Sequence, residues 1–163
     1  MKKTHMSLFL FTVFCGSFLF SQELQISPRK TFSVVVEEMG YDSPVSVSEV
    51  GSRVKLRLRN NGVPYATEDS SLAKDGFLYI NINVMPHLYE TDRRKTGSYS
   101  FYVKIAYRRP VFAYDTSRIW VSVWEDGSLG FSPTSTGVRK LVFEKNDSFV
   151  DSFSIKFLEE NNL

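Results

Sequence analysis

The sequence predicts an α+β domain in which an antiparallel sheet of about four strands is packed by a long C-terminal helix. Three segments in the middle of the chain alternate at period two and are rich in aromatic and β-branched residues, which is typical of strands. The last part of the chain places apolar residues three and four positions apart, which is typical of a helix. Short, turn-rich connections favour antiparallel neighbours, and the pattern also allows a shorter N-terminal helix.

Residues 1–21 have the composition of an export signal. Two lysines precede an apolar run over residues 6–20, and Ser21 supplies a small residue for cleavage. Because the run is shorter than the ~20 apolar residues that span a bilayer, we predict cleavage, no membrane anchor and a periplasmic or extracellular protein. Two alternatives stay open: cleavage after Ser17, and a lipoprotein signal that places a lipid on Cys15.

Removal of this segment changes the chemical inventory of the protein. The two lysines of the signal bring the 20 basic residues down to the number of acidic ones, 18, so the remaining chain is formally neutral. It also loses Cys15, which is the only cysteine, and one of two histidines. A neutral, thiol-free chain excludes a disulfide framework and lacks the charge of a nucleic-acid binder. With His87 left as the single histidine, we expect no metal and no cofactor in the one domain over 22–163.

The elements before the centre of the chain are less regular. Residues 22–31 are polar and predict a loose leader, and residues 31–38 contain a β-branched run that suits a strand. Residues 48–61 fit two interpretations. Apolar residues at helical spacing, with Ser48 as a cap and a terminal glycine, predict a helix, whereas alternation before an Asn-Gly pair predicts a hairpin. We favour the helix, followed by a loop over 64–76.

The centre and the end of the chain give the clearest signals. The predicted strands are 77–84, 98–108 and 118–125, and the predicted turns are 85–87, 95–97, 109–110 and 126–127. Residues 138–161 predict one helix, because their apolar side chains form a single stripe. Asn146 interrupts that stripe, which makes it the place where we expect a kink.

Two short patterns resemble those of small secreted bacterial proteins of uncharacterised function. The first is a Y-[VI]-N-[VI] strand, which here is Tyr79-Ile80-Asn81-Ile82. The second is a terminal helix of the form D-x-F-x-x-x-[YF]-L-x-x-N, which here runs from Asp151 to Asn161. The resemblance covers the chain from Phe77 onward. It implies export and a similar fold, and it implies no activity.

His87 is the one imidazole outside the predicted signal, and it follows a proline just past a predicted strand. A histidine there can activate a nucleophile or work with a nearby acid, so a small exported hydrolase that uses His87 or carboxylates is one hypothesis. No G-x-S-x-G motif accompanies it, and we favour a solvated loop histidine. The run Glu125-Asp126-Gly127-Ser128 resembles part of a calcium loop, but a plain turn explains it better.

The faces of the predicted strands give the remaining functional signal. If the β-branched residues face the helix, the opposite face mixes aromatic side chains with amide, hydroxyl and lysine groups. Aromatic platforms beside such groups suit a protein partner or a sugar ring. The candidate binding residues on this face are Tyr79, Asn81, Tyr102, Trp120 and Trp124.

We therefore expect an exported, non-enzymatic binding or accessory module whose partner is an unknown protein or glycan. In the alternative, an N-terminal helix or strand covers the same face and both tryptophans are ordinary core residues. A third hypothesis is a subunit that assembles with copies of itself through the aromatic face or the sheet edge.

Overall fold

The computed structural model describes residues 32–40, 43–66, 76–91, 93–113 and 117–163. The elements in chain order are β1 (Ser33–Val36), α1 (Val47–Asn60), β2 (Phe77–Leu88), β3 (Lys95–Phe112), β4 (Arg118–Ser132) and α2 (Ser135–Asn161). A four-stranded sheet with a long C-terminal helix and a shorter N-terminal helix confirms the predicted α+β class. The predicted signal, the leader and most of the predicted loop lie outside the described residues.

The sheet has the strand order β1-β2-β3-β4, and it is mixed rather than wholly antiparallel. The strands β2, β3 and β4 form the antiparallel meander that the short connections predict. β1 pairs with β2 in parallel, with Ser33 opposite Phe77. This strand departs from the antiparallel expectation because α1 connects it to β2, and a helical crossover returns the chain to the same end of the sheet.

α1 confirms the helix interpretation of the ambiguous segment over the hairpin. Ser46, rather than Ser48, caps the helix, and its hydroxyl accepts a hydrogen bond from the N–H of Glu49 at 3.3 Å. At the other end Gly62 has a φ of 75°, and Val63 donates its N–H to a carbonyl of the last helical turn at 2.9 Å. A glycine adopts this left-handed conformation at little steric cost, which is why the helix ends here.

The three meander strands are longer than the sequence predicts. All four predicted turns, at 85–87, 95–97, 109–110 and 126–127, lie within strands. Pro110 is tolerated in β3 because it lies beyond Arg108, which pairs with Phe77, the first residue of β2. In the described chain only β4 pairs with β3 there. The register of β2 and β3 shifts just after Pro86, so that proline lies at an irregular end of the ladder.

The core lies between one face of the sheet and the two helices. Alternate residues of β2 and β3 point into it, and both helices contribute their apolar stripes. At its centre Phe32 contacts Tyr107, Phe153 and Phe157 with ring centroids 5.2–5.5 Å apart. Such edge-to-face pairs add to the burial of each ring. The two aromatic residues of the terminal-helix pattern are therefore core residues.

Ion pairs join α1 to α2 at the surface of the helix pair. Arg53 donates to both carboxylate oxygens of Asp147, at 2.9 and 2.8 Å, and Arg57 binds Asp151 in the same two-pronged way. Hydrogen bonding by Arg57 lowers the pKa of Asp151, to which the side-chain amide of Asn61 also donates at 2.8 Å. The aspartate of the terminal-helix pattern thus has a structural role between the helices.

Asn146 is fully buried, and α2 continues through it as one helix. Neither the nitrogen nor the oxygen of its amide has a hydrogen-bond partner among the described residues. A buried amide without a partner costs roughly 1–3 kcal/mol of desolvation. The interruption of the apolar stripe is therefore a destabilising position within a continuous helix.

Replacing Asn146 with leucine should stabilise the protein. Asn146→Leu keeps the branch at Cγ and removes the unpaired amide, so we expect the free energy of unfolding to rise by about 1 kcal/mol. Urea denaturation followed by circular dichroism measures the change. Asn60→Leu, at an exposed position of α1, is the matched control and should give no gain. A loss of stability in Asn146→Leu would show that the amide is paired in solution.

Candidate functional site

The face of the sheet opposite the core is the candidate binding surface. Both helices pack against the other face, through the residues of the core. On the opposite face the described side chains include several that are well exposed, from Trp120 at 37 % to Leu129 at 79 %. We call this surface the outer face. It is built from alternate residues of the four strands and from Glu37, which directly follows β1.

Aromatic rings and arginines form a ribbon along one part of the outer face. This aromatic ribbon consists of Tyr79, Phe77, Trp120 and Phe112, with Arg108 and Arg118 stacked on it. The ring centroid of Phe77 lies 6.4 Å from that of Tyr79 and 4.8 Å from that of Trp120. Arg108 lies 4.1 Å above the Tyr79 ring. Cation–π contacts favour one arrangement of the rings, so the ribbon is a preformed platform.

A row of hydrogen-bonded polar side chains lies beside the ribbon. Glu37 accepts hydrogen bonds from the Tyr79 hydroxyl and the Asn81 amide, and Asn81 accepts one from Asn83 at 2.9 Å. The bond from Tyr79, followed by that from Asn81, lowers the pKa of Glu37, and the same contact raises the pKa of Tyr79. We call Glu37, Asn81 and Asn83 the polar row. Their carboxylate and amide groups can bond to hydroxyl or peptide groups of a ligand.

A shallow groove of about 430 Å³ lies on the outer face at Gly127, which has no side chain to fill it. Tyr102, Lys104, Glu125 and Leu129 border this groove. The ammonium of Lys104 lies 2.9 Å from a carboxylate oxygen of Glu125, and this hydrogen bond raises the pKa of Lys104. The groove therefore offers an aromatic ring, a cation and an anion within a small area.

Four of the five predicted binding residues lie on the outer face. They are Tyr79 and Trp120 in the aromatic ribbon, Asn81 in the polar row and Tyr102 at the groove. Trp124 lies on the helix-facing side, where its ring centroid is 5.3 Å from that of Phe153. The prediction that both tryptophans share one face is therefore wrong, and Trp124 is not part of the candidate site.

A β-bulge in β4 separates the two tryptophans. Tyr107 pairs with Trp124, but the next residue, Arg108, pairs with Ser122, so Val123 is an extra residue on β4. Beyond an extra residue, the side chains of a strand exchange faces. Strict alternation places both tryptophans on one face, and no pattern in the sequence marks where the bulge falls.

Sequence reasoning missed several residues of the outer face. Phe77 precedes Tyr79 by two positions, so strand alternation alone indicates that they share a face. Phe112 lies beyond the predicted end of its strand, where the Arg-Pro pair reads as a turn. Glu37 precedes α1 in the sequence, whereas the other residues of the site follow it. Nothing in the sequence indicates that β1 is the parallel neighbour of β2.

His87 lies in β2 rather than in a loop, and its Nε2 is 2.7 Å from the Oγ of Ser100. The ring of Phe131 lies beside it, with the centroids 5.6 Å apart. A serine in contact with a histidine is the core of a catalytic dyad, which a third, acidic group normally orients. In the described chain no carboxylate bonds to His87, and no cluster of three metal-ligating side chains occurs.

Comparisons with known proteins find similar solved structures but no matching family. No family model and no curated protein matches the chain. Among solved structures, the chain is similar to rare lipoprotein B from Shewanella oneidensis, at 13 % identity and a TM-score of 0.36, over 81 % of this chain and 96 % of that chain. It is also similar to a minor lipoprotein from Acinetobacter baumannii, at 9 % identity and a TM-score of 0.31, over 80 % and 89 %.

Both neighbours are bacterial lipoproteins by name. A separate observation concerns the helices. Over the ranges that the structure describes, no helix is long and apolar enough to span a membrane.

The two tryptophans should differ in their contribution to stability. Trp124 packs against Phe153, so we expect Trp124→Ala to lower the free energy of unfolding by about 2–4 kcal/mol. Trp120 is 37 % exposed, so Trp120→Ala should cost less than about 1 kcal/mol. Urea denaturation of both variants makes the comparison. Equal losses would contradict the assignment of the two side chains to opposite faces.

Proposed function

We propose that this protein is an exported, non-enzymatic binding module that holds a protein or glycan partner on its outer face. The observation that supports the proposal is the one-sided packing of the sheet. Both helices cover one face, while the aromatic ribbon, the polar row and the groove lie on the other. Large aromatic rings that are exposed together on one surface often mark an interaction site.

The chemistry of the outer face suits a ligand that has both flat apolar faces and hydroxyl or amide groups. A sugar ring can stack on Tyr79 or Tyr102 while its hydroxyls bond to Asn81 and Asn83. A protein partner can bury the same aromatic rings as anchors, with the polar row at the rim. The formal neutrality of the chain after signal removal argues against a nucleic acid.

Export is part of the proposal, and it rests on the composition of residues 1–21. An exported domain without cysteines depends on its core alone for stability. The described core meets that need, because β1, β2, β3 and both helices contribute buried apolar side chains to it, and Val123 and Trp124 of β4 pack against it.

Assembly with a second copy through the sheet edge is less well supported. β4 is an edge strand, and its backbone groups are open to pairing with another chain. Two of them are already bonded within the strand: Asp126 accepts from the Gly127 N–H at 2.8 Å, and the Ser128 hydroxyl donates to the Leu129 carbonyl at 3.2 Å. Such local bonds compete with edge-to-edge pairing in the middle of β4.

Photo-crosslinking in the source cells tests the binding proposal. We place p-benzoylphenylalanine at Tyr102 on the outer face, or at Lys140 on α2, whose side chain is 76 % exposed. We expect an adduct from position 102 and none from position 140. Adding Tyr79→Ala and Asn81→Ala should reduce the adduct by about thirtyfold, because an aromatic anchor and a hydrogen bond each contribute about 1 kcal/mol.

Mass spectrometry and periodate treatment of the adduct distinguish a protein from a glycan. An adduct of twice the mass of the chain would favour self-assembly instead. Absence of any adduct from the outer face, or equal labelling at the two positions, would overturn the proposal.

A hydrolase is the second candidate function, because the Ser100 hydroxyl and His87 Nε2 are 2.7 Å apart. The dyad lies on an open sheet face and has no orienting carboxylate in the described chain, so we expect it to be inactive. Hydrolysis of p-nitrophenyl acetate by the purified protein should therefore equal that of Ser100→Ala and of the control Ser122→Ala. A rate that falls only in Ser100→Ala and His87→Ala would establish the hydrolase.

A further inference from the structure

The hairpin formed by β3 and β4 extends past the rest of the sheet. The last pair between β2 and β3 is Phe77 with Arg108, whereas β3 and β4 remain paired as far as Phe112 and Arg118. Residues 109–112 and 118–121 thus form a two-stranded projection of about 13 Å, at about 3.3 Å a residue. We call this projection the β3–β4 arm.

Apolar side chains are exposed on both faces of the arm. They are Val111 at 38 %, Phe112 at 65 %, Ile119 at 50 % and Trp120 at 37 %. Val111 pairs with Ile119, whereas Phe112 and Trp120 lie on the other face with their partners Arg118 and Pro110. A protein that binds the outer face covers only one side of the arm. A medium that surrounds the arm buries both sides, and the hydrocarbon edge of a bilayer is such a medium.

The charge of the arm fits an anionic surface. Residues 108–122 hold three arginines, of which Arg109 and Arg118 lie in the arm and Arg108 at its base, and a single acidic residue, Asp115. Arg118 lies 5.8 Å from the ring of Phe112 and 5.7 Å from that of Trp120, so its guanidinium is held beside the apolar side chains. Arginines in this position can keep their aliphatic stems with the apolar groups while the guanidinium reaches a phosphate.

The path of the chain places the arm at the same end as the N-terminal segment. Ser33, the first residue of β1, pairs with Phe77, and Phe77 pairs with Arg108 at the base of the arm. The segment before Phe32 contains the apolar run of the predicted export signal. The arm therefore lies at the end of the sheet where the chain enters β1, so a lipid on Cys15, the alternative to cleavage after Ser21, would tether this end.

We infer that the β3–β4 arm inserts peripherally into the interface of an anionic phospholipid bilayer. The four apolar side chains enter the region below the headgroups, and the three arginines bind lipid phosphates. This contact goes beyond the proposed function, because it takes the Phe112 and Trp120 end of the aromatic ribbon and leaves Tyr79, the polar row and the groove free for a partner.

Vesicle co-sedimentation tests the inference with the exported protein, so that all variants share one N-terminus. Vesicles of phosphatidylcholine containing about a third phosphatidylglycerol should bind the protein, and vesicles of phosphatidylcholine alone should bind it weakly. Phe112→Ser with Ile119→Ser should weaken binding to anionic vesicles about tenfold or more, because two large apolar side chains are lost. Arg109→Gln with Arg118→Gln should weaken it similarly and flatten its dependence on salt.

Met85→Ser with Leu88→Ser is the matched control. These side chains are 63 % and 50 % exposed, and they lie at the end of β2 opposite the arm, so binding should stay within about twofold of wild type. Circular dichroism confirms that each variant is folded. Equal binding by the arm variants and wild type, equal losses in the control, or no binding to anionic vesicles would each overturn the inference.

Tryptophan fluorescence gives a second readout that keeps an aromatic side chain at position 120 of the arm. In Trp124→Phe the remaining tryptophan is Trp120, whose emission should shift to shorter wavelength on anionic vesicles. In Trp120→Phe the remaining tryptophan is Trp124, which packs against Phe153 and should show no shift. A shift from Trp124 alone would contradict insertion of the arm.

The crosslinking and vesicle experiments fail independently. If position 102 gives no crosslink but the protein still binds anionic vesicles, the binding proposal is wrong and this inference still holds.

Discussion

The packing of Phe153 and Phe157 against Tyr107 and Phe32 is the contact on which the arrangement of the molecule depends. It fixes α2 across β3 and β4, and it determines which face of the sheet becomes core. Because α1 binds α2 through its arginines and packs beside β1, the shorter helix is held on the same side. The outer face is left without a helix as a consequence of this contact.

The bulge at Val123 divides β4 into two parts whose side chains alternate in opposite phase. On the side of the turn to α2, the helix-facing positions of β4 after Trp124 are polar or lack a side chain. Gly130 is one of them, and the ring of Phe101 occupies the space that a Cβ at position 130 would need. On the other side of the bulge, β4 turns Trp120 outward and joins the arm. One extra residue therefore reverses which positions of β4 face the helices and which lie on the outer face.

Local patterns predicted the elements well wherever one physical signal dominated. The stripe over 138–161 located α2, because a helix this long must bury one continuous face. The turns were wrong because Pro110 and Gly127 read as breaks, whereas β3 past Arg108 has one neighbour and can include a proline. The parallel pairing of β1 is a contact distant in sequence, and no local pattern encodes it.

The candidate site was predictable to the extent that strand alternation persists. Tyr79, Asn81 and Tyr102 follow strict alternation in regular strands, so their common face could be inferred. Trp124 failed because the bulge breaks the alternation, and Glu37 was missed because only the parallel pairing of β1 with β2 brings it to the site.

The core aromatic cluster also bears on how the protein folds, because it joins Phe32 to Phe157 from opposite ends of the described chain. Phe32 leads the described chain and Phe157 lies near its end, so the apolar faces of the strands lack their cover until α2 has been made. Folding of this domain is therefore completed only when the last helix is available, and the unfinished chain is prone to aggregation until then.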